Sequence, residues 1–120
     1  MVRRKTVDDE EKYSSVLKIA LDFIQKNIAE QLTVGDIATA CGYSEAYMMK
    51  LFKRMTGSTC VEYINSYRLK ECAERLLTTD DKVVDIAYSL GFNNISYFNL
   101  QFKRSYGLTP KEYRALKHSR

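Results

Sequence analysis

The chain carries one sequence pattern twice, and this internal repeat limits its fold more than any other feature. Residues 36–54 read DIATACGYSEAYMMKLFKR, and residues 85–104 read DIAYSLGFNNISYFNLQFKR. The DIA triplet and the glycine after it recur forty-nine positions later, whereas the FKR triplet recurs fifty positions later. The second copy therefore has one extra residue near its glycine, and the fold must build the same supersecondary unit twice.

Apolar periodicity predicts an all-α fold. Pro110 is the one proline of the chain, so long helices can continue without interruption. We expect seven helices, at residues 13–28, 34–41, 45–55, 60–77, 83–90 and 95–106 and from Pro110 onward. The predicted N-caps are Thr33, Ser44, Thr59 and Thr109, three of them in capping boxes completed by Asp36, Glu62 and Glu112. No strand pattern competes with these helices.

Each copy of the repeat consists of a short helix, a glycine turn and a longer helix, followed by a further capped helix. This is the layout of a helix-turn-helix, whose second helix lies in the DNA major groove. A helical solenoid is the alternative, but two copies are too few to stack, and a solenoid does not require the glycine turn. We therefore predict two helix-turn-helix units, at residues 13–57 and 83–117, bridged by a linker helix at residues 60–77.

The second helix of each copy, called here its recognition helix, has two different faces. The apolar stripe consists of Met48, Leu51, Phe52 and Met55 in the first copy and Ile95, Phe98, Phe102 and Tyr106 in the second. The opposite face carries Ala46, Tyr47, Lys50, Lys53 and Arg54 in the first copy and Ser96, Tyr97, Leu100, Lys103 and Arg104 in the second, with Met49 and Asn99 at the boundaries. Solvation alone explains one such polar face, whereas two matched faces favour a shared binding role.

The free faces offer side chains suited to reading base pairs. Lys50 suits guanine O6 and N7, Asn99 suits adenine, and Leu100 suits a thymine methyl group. The predicted base-contacting residues are Ala46, Tyr47, Met49, Lys50, Ser96, Tyr97, Asn99 and Leu100. Side chains late in these helices and at their starts are expected to hold phosphates, which adds affinity without sequence information. The predicted phosphate contacts are Ser44, Lys53, Arg54, Asn94, Lys103 and Arg104.

The linker helix gives a check on length. A helix over residues 60–77 spans about 27 Å at 1.5 Å per residue. Major grooves on one face of DNA recur every ~34 Å. A rod of that order, with the turns at its ends, holds two recognition helices one helical turn apart. We therefore expect one molecule to bind one asymmetric site, with no homodimer required.

These segments resemble the DNA-binding domain of the AraC/XylS family of bacterial transcription regulators. The most specific part is VVDIAYSLGFNNISYFNLQFKRSYGLTPKEYR at residues 83–114, which is similar to the family's signature. TVGDIATACGYSEAYMMKLFKRMTG resembles its first motif, and VEYINSYRLKECAERLL its linker helix. The resemblance covers residues 13–115 and implies two helix-turn-helix units bridged by a long helix.

The resemblance also implies a function. Family members usually activate transcription by binding upstream of promoters and contacting RNA polymerase, so double-stranded DNA and RNA polymerase are the expected partners. By position, the family's base-contacting sites fall on Ala46, Met49, Lys50, Ser96, Tyr97, Asn99 and Leu100. Many members carry arginine at the positions of Lys50 and Leu100, so a guanine contact is not expected at Leu100 and is expected to be weaker at Lys50.

The polar residues 1–12 are expected to form a flexible arm or the remnant of a linker. Most family members carry a separate sensing or dimerising domain, while a few are single-domain proteins of about this length. The chain is therefore either a complete small regulator or the C-terminal domain of a longer one, and its linker-like start favours the second. We expect a monomer, with dimerisation assigned to the separate domain.

Composition excludes several other classes. Three cysteines without a C-x-x-C motif fit a reducing cytoplasm better than a disulfide framework or a zinc site. Cys41 and Cys72 lie on apolar faces and are expected in the core, whereas Cys60 begins a helix and is the candidate for a reactive thiol. The lone histidine, His118, stands in the tail, and neither a catalytic triad nor a phosphate loop is present. We expect no enzyme activity, cofactor or metal, and no membrane span.

The net charge of +4 permits an anionic partner without requiring one, and 45% hydrophobic content over 120 residues predicts one compact core. The alternative function is therefore a helical protein-interaction domain without sequence-specific DNA binding. RNA is disfavoured because the deep major groove of A-form duplexes excludes helices.

Overall fold

The computed structural model describes residues 7–118, with side chains described for residues 10–117. Seven α-helices follow one another, as predicted: α1 (Val7–Lys26), α2 (Val34–Cys41), α3 (Glu45–Thr56), α4 (Cys60–Thr78), α5 (Val83–Ser89), α6 (Ile95–Tyr106) and α7 (Pro110–Ala115). A 3₁₀ turn at Leu116–His118 ends the described range, and no strand occurs within it. The all-α prediction is confirmed.

Helix α1 differs most from its predicted bounds. It begins at Val7 and ends at Lys26, whereas the sequence pattern placed it at residues 13–28. Residues 7–12, which we expected in a flexible arm, are therefore the first turns of a helix, and residues 1–6 lie outside the described range. A helix can form without an apolar stripe in every turn. Apolar periodicity therefore did not reveal the polar first turns of α1.

Side-chain caps set the starts of several helices where predicted. Thr33 Oγ1 accepts a hydrogen bond from the Asp36 amide, and the Asp36 carboxylate accepts one from the Thr33 amide, each at 3.0 Å. The same reciprocal pairs occur at Thr59–Glu62 and Thr109–Glu112. In the two boxes that contain glutamate, the backbone hydrogen bond stabilises the ionised carboxylate and lowers its pKa. The capping-box predictions are confirmed.

The chain divides into two compact units, where composition had predicted a single core. Unit 1 contains the chain up to Asn27 and residues Leu32–Ile64, and unit 2 contains Ile28–Gln31 and the chain from Asn65 onward. Helix α4 therefore contributes its first turn to unit 1 and the rest to unit 2. Each unit has its own buried residues, so the two cores are described in turn.

The core of unit 1 forms where α1, α2, α3 and the start of α4 meet. Its buried residues are Val16, Ala20, Ile24, Ile37, Ala38, Met48, Leu51, Phe52, Cys60 and Ile64. Phe52 has no exposed surface, and its ring lies edge-on to that of Tyr63 at 5.7 Å between centroids. The predicted stripe of α3 is thus the side that this unit buries, except that Met55 is only half-buried.

The core of unit 2 is built around aromatic rings. Its buried residues are Leu69, Cys72, Ala73, Leu76, Ile86, Ala87, Leu90, Phe92, Phe98 and Phe102. The Phe102 ring lies 4.6 Å from Tyr106, 5.4 Å from Tyr113 and 5.8 Å from Phe98, measured between centroids. Ile28, the last residue of the first helix as predicted at residues 13–28, lies beyond the end of α1 and packs against this core.

In unit 2 a buried arginine lies between residues 28–30 and the turn at Gly91. Arg68 is 9% exposed and donates hydrogen bonds to the backbone oxygens of Ile28, at 3.0 Å, and Glu30, at 2.6 Å. Burial lowers the pKa of this guanidinium. Gly91 has φ +96°, and a Cβ added there would lie 2.8 Å from Arg68 Nε and from the Ile28 oxygen. Two features therefore require glycine at this turn: its left-handed backbone, and the short distance to the Arg68 side chain and the Ile28 oxygen.

The prediction that Cys60 is the reactive thiol is wrong. Its side chain is 1% exposed, and burial raises its pKa to about 11. Burial likewise raises the pKa of Cys72 to about 12. Because the thiolate is the nucleophile and both thiols are buried, Cys60 and Cys72 act as small apolar core residues. Among the described helices, none is long and apolar enough to cross a membrane.

Candidate nucleic-acid interface

A capped turn precedes each recognition helix. In unit 1, Gly42 ends α2 with φ +79°, and Ser44 Oγ accepts a hydrogen bond from the Tyr47 amide at 3.1 Å. In unit 2, Asn94 Oδ1 accepts one from the Tyr97 amide at 2.9 Å. Ser44 and Asn94, which we predicted to hold phosphates, therefore serve as the N-caps of α3 and α6. Each cap uses an acceptor, so the hydroxyl proton of Ser44 and the amide protons of Asn94 are still available as donors.

The faces predicted to be free are exposed with one exception. The exposed residues are Ser44, Ala46, Met49, Lys50, Lys53 and Arg54 in unit 1 and Asn94, Ser96, Tyr97, Asn99, Leu100, Lys103 and Arg104 in unit 2. Met49 is 49% exposed and Leu100 is 53% exposed, so each presents an apolar side chain to solvent beside polar and basic neighbours. An exposed leucine among lysine and serine side chains offers an apolar contact without contributing to a core.

Tyr47 is the exception, and its predicted exposure is wrong. Its ring stacks on that of Tyr43 at 4.4 Å between centroids, and its hydroxyl is buried without a hydrogen-bond partner among the described residues. Burial, with the neighbouring Tyr43 and Tyr13 phenols, raises the pKa of Tyr47. The helical wheel placed Tyr47 on the free face, but packing within unit 1 turns its hydroxyl inward, so this conformation does not offer that group to DNA.

Tyr97, the counterpart of Tyr47 in α6, is 43% exposed. Its hydroxyl accepts a hydrogen bond from Nδ2 of Asn65 at 3.2 Å. Asn65 lies in α4, thirty-two positions earlier, and belongs to unit 2 with Tyr97. Sequence reasoning missed Asn65 because the linker helix was assigned only a spacing role, and no local pattern pairs residues so far apart.

The arginines of the two FKR triplets have different surroundings. Arg54 donates a hydrogen bond to Glu10 Oε2 at 3.0 Å, and its guanidinium lies 4.8 Å from the centre of the Tyr13 ring. Both members of this ion pair are partly exposed. The side chain of Arg104 makes no hydrogen bond or ion pair within the part of the chain that the structure describes. Glu10 was missed because the sequence pattern placed it in a flexible arm.

The lysines of the two triplets are more alike. Lys53 and Lys103 are exposed in the last turns of α3 and α6. Each also adds to the lowering of the pKa of the capping glutamate that follows it, Glu62 or Glu112. Each unit thus presents a helix with a basic C-terminal turn and a set of small, polar and apolar side chains before it. Such a surface suits a polyanion whose groove exposes methyl groups and hydrogen-bonding base edges.

Comparisons with known proteins agree with this geometry. The model of a helix-turn-helix domain family matches residues 37–116. Regulatory protein SoxS of Salmonella typhimurium is 31% identical over 102 residues, which cover 85% of this chain and 95% of SoxS. Relatives differ in length, since this chain spans 95% of SoxS but 54% of a longer relative from Bacillus subtilis.

Two solved structures carry the same fold. A transcriptional regulator of Chromobacterium violaceum, described as containing an AraC-type DNA-binding domain, superposes with a TM-score of 0.83 and 28% identity, covering 89% of this chain and 96% of that one. The DNA-binding domain of AdpA in complex with a target DNA gives a TM-score of 0.76 with 25% identity, covering 89% of this chain and 93% of that one. The chain therefore belongs to the AraC/XylS family of helix-turn-helix transcription regulators.

Proposed function

We propose that this chain binds double-stranded DNA with sequence specificity through α3 and α6, and that it regulates transcription as an activator. The observation that carries the proposal is the repeated exposure of matched side chains on one face of each helix, opposite a stripe that its own unit buries. A helix with one buried and one free face at the second position of a helix-turn-helix suits insertion into a major groove.

The base-reading roles differ between the two helices. In α3, Lys50 donates to guanine O6 and N7, while Met49 and Ala46 contact apolar base edges. In α6, Asn99 pairs with adenine and Leu100 contacts a thymine methyl group, with Ser96 and Tyr97 as polar neighbours. Because these two sets are unlike, the proposed target is asymmetric.

Phosphates are held by the helix starts and by the basic last turns. Ser44 and Asn94 retain donors for phosphate oxygens, and their position at helix N-termini favours anions. Lys53, Lys103 and Arg104 supply exposed positive charge. Arg54 joins them on the side of unit 1, in competition with its bond to Glu10. These contacts supply affinity on any sequence.

One molecule is proposed to engage two successive major grooves on one face of the duplex. The nineteen residues of α4 span about 28 Å, which with the turns at both ends is of the order of the ~34 Å groove repeat. The duplication then replaces the two-fold axis of a dimer, so the chain acts as a monomer. Activation is proposed to follow through contact with RNA polymerase at promoters, as is usual in the family.

Selection of bound duplexes from a random library tests this proposal. We expect one asymmetric site with two separated blocks of preferred bases. Inserting about five base pairs between the blocks rotates one groove to the far side of the duplex, at 10–10.5 base pairs per turn. A continuous helix does not follow that rotation, so tight binding should collapse, while the same insertion outside both blocks should change nothing.

Survival of binding after the central insertion, or a symmetric site bound by two molecules, would contradict the two-groove proposal. A salt titration on random duplex separates DNA binding from the alternative of a protein-interaction domain. Affinity for DNA falls steeply with salt because counterions are released on binding. An apolar protein interface does not show that dependence.

A further inference from the structure

We propose that Asn65 of the linker helix is a positioning residue for DNA recognition, and that it orients the Tyr97 hydroxyl as a hydrogen-bond donor toward the duplex. This inference rests on the proposed function of α6 and deepens it. It assigns to α4 a part in recognition beyond the spacing of two helices.

The contact lies at the edge of the proposed interface. Tyr97 is the third residue of α6, in the N-terminal part of the helix, whose residues reach base edges in helix-turn-helix proteins. Its amide is used by the cap, since it donates to Asn94 Oδ1 at 2.9 Å. Tyr97 is 43% exposed, and its hydroxyl is held by Asn65 Nδ2 at 3.2 Å. The backbone of Tyr97 is thus fixed by the cap and its hydroxyl by Asn65, while the residue remains open to a ligand.

The direction of the hydrogen bond decides what the hydroxyl offers. A phenol has one O–H donor and lone pairs that accept. Because the Tyr97 oxygen accepts from the Asn65 amide, its own proton is free for an acceptor on the ligand. DNA offers such acceptors as phosphate oxygens and as purine N7 or guanine O6 in the major groove. The pair therefore favours an acceptor and disfavours the N4 amino group of cytosine, which is itself a donor.

Unit 1 contains the natural contrast. Its equivalent tyrosine, Tyr47, stacks on Tyr43 and buries its hydroxyl without a partner among the described residues. An anchored, outward donor is therefore a property of α6 and not of the repeat. Asn65 holds the outward hydroxyl in unit 2, whereas Tyr43 stacks on the matching ring in unit 1, and Asn65 lies outside the repeated segments 36–54 and 85–104.

A double-mutant cycle tests the inference. Wild type, Asn65→Ala, Tyr97→Phe and the double variant are titrated against the duplex selected by wild type, with Ser66→Ala, at the exposed next position of α4, as the control. We expect each single variant to weaken binding by about two- to tenfold, the range for one hydrogen bond. The double variant should bind no more weakly than Tyr97→Phe, and Ser66→Ala should match wild type.

The near-isosteric Asn65→Asp keeps the inference testable without a change of volume. Its carboxylate accepts the phenol proton and so removes the donor that faces DNA. Its cost should therefore be larger in the Tyr97 background than in the Tyr97→Phe background, where only charge repulsion remains. Equal costs in both backgrounds, or an Asn65→Ala variant that binds as wild type does, would overturn the inference. Thermal unfolding midpoints should be nearly unchanged, because the pair is solvent-exposed.

Three chemical scans identify the acceptor. Methylphosphonate substitution alters single phosphates, 7-deazapurine substitution removes single N7 atoms, and 6-thioguanine or 4-thiothymine replaces single base carbonyl oxygens by sulfur, a weaker acceptor. A position whose modification weakens wild type but not Tyr97→Phe is the acceptor, and the absence of such a position from all three scans contradicts an outward donor. The failure of the proposed function has a different signature, because wild type itself would then select no sequence from the library.

Discussion

Units 1 and 2 are built from one repeated motif, yet their recognition surfaces differ. The tyrosine of α3 turns its hydroxyl into the protein, whereas the tyrosine of α6 holds its hydroxyl at the surface. In each unit the difference comes from neighbouring side chains: Tyr43 and Tyr13 surround Tyr47, and Asn65 binds Tyr97. A repeated motif therefore fixes the helices, while residues outside the matched positions decide which groups those helices present.

The two cores also differ in the neighbours of a matched residue. Truncating the matched phenylalanines should change the free energy of unfolding more than any other substitution considered below. The Phe102 ring lies against Phe98, Tyr106 and Tyr113, whereas the Phe52 ring pairs with Tyr63. We expect Phe102→Ala to destabilise the protein by about 3–5 kcal/mol. Phe52→Ala should cost less, because each lost aromatic pair adds about 0.5–1.5 kcal/mol. Urea unfolding measures both, and a midpoint unchanged by Phe102→Ala would remove that residue from the core.

Substituting a base-contacting residue in one recognition helix should affect only the half-site that this helix contacts. Lys50→Ala should relax base preference only in the block contacted by α3, at a cost of about 1–3 kcal/mol against the preferred base. Leu100→Ala should relax preference only in the other block, where thymine should lose its advantage over uracil because the methyl contact is gone. Competition titrations with single-base substitutions measure both effects.

Met49→Ala is the matched control for the apolar contact in α3, because Met49 and Leu100 are similarly exposed. It should change methyl discrimination in the first block and leave the second unaffected. Changes in both blocks from either Lys50→Ala or Leu100→Ala would mean that the two helices do not read separate half-sites.

Helix capping offers a contrast of about 1 kcal/mol. Thr33 caps α2 in a full capping box, whereas the equivalent position in unit 2 is Lys82, which makes no side-chain cap for α5. Thr33→Ala should therefore destabilise by about 1 kcal/mol, and Lys82→Ala by less than about 0.5 kcal/mol. Thermal unfolding of the two variants measures the difference. Equal costs would show that the hydrogen bonds of the Thr33 cap add no stability over those that water would make.

Sequence patterns predicted the helices well because their causes are local. The bounds of α2 and α6 and the three capping boxes follow from periodicity and from residues three positions apart. The inward turn of Tyr47 and the bond between Asn65 and Tyr97 depend on tertiary neighbours, which no local pattern encodes. Cys60 illustrates the same limit. Its place at a helix start suggested a reactive thiol, but tertiary packing buries that thiol in the core of unit 1.

The arginines of the FKR triplets should show the smallest contrast. Arg104 has no partner among the described residues, so Arg104→Ala should weaken specific and random DNA alike and lower the salt slope by about 1. Arg54→Ala should lower the slope by less, because Glu10 already neutralises part of that charge. Loss of discrimination with random-DNA binding intact would instead make either arginine a base reader.

Glu10→Gln tests this last comparison further, because it removes the ion pair of Arg54 while leaving the arginine itself in place. Exposed ion pairs contribute about 0–1 kcal/mol, so DNA affinity should rise by no more than about fivefold, and the salt slope should steepen toward that of two free arginines. Glu11→Gln removes the same charge one residue away and is the control for general repulsion between the acidic start of α1 and DNA. The gain from Glu10→Gln should exceed that of the control and should fall to the control's value in an Arg54→Ala background. Equal gains from both glutamates would mean that long-range charge, and not the bond to Arg54, distinguishes unit 1 from unit 2.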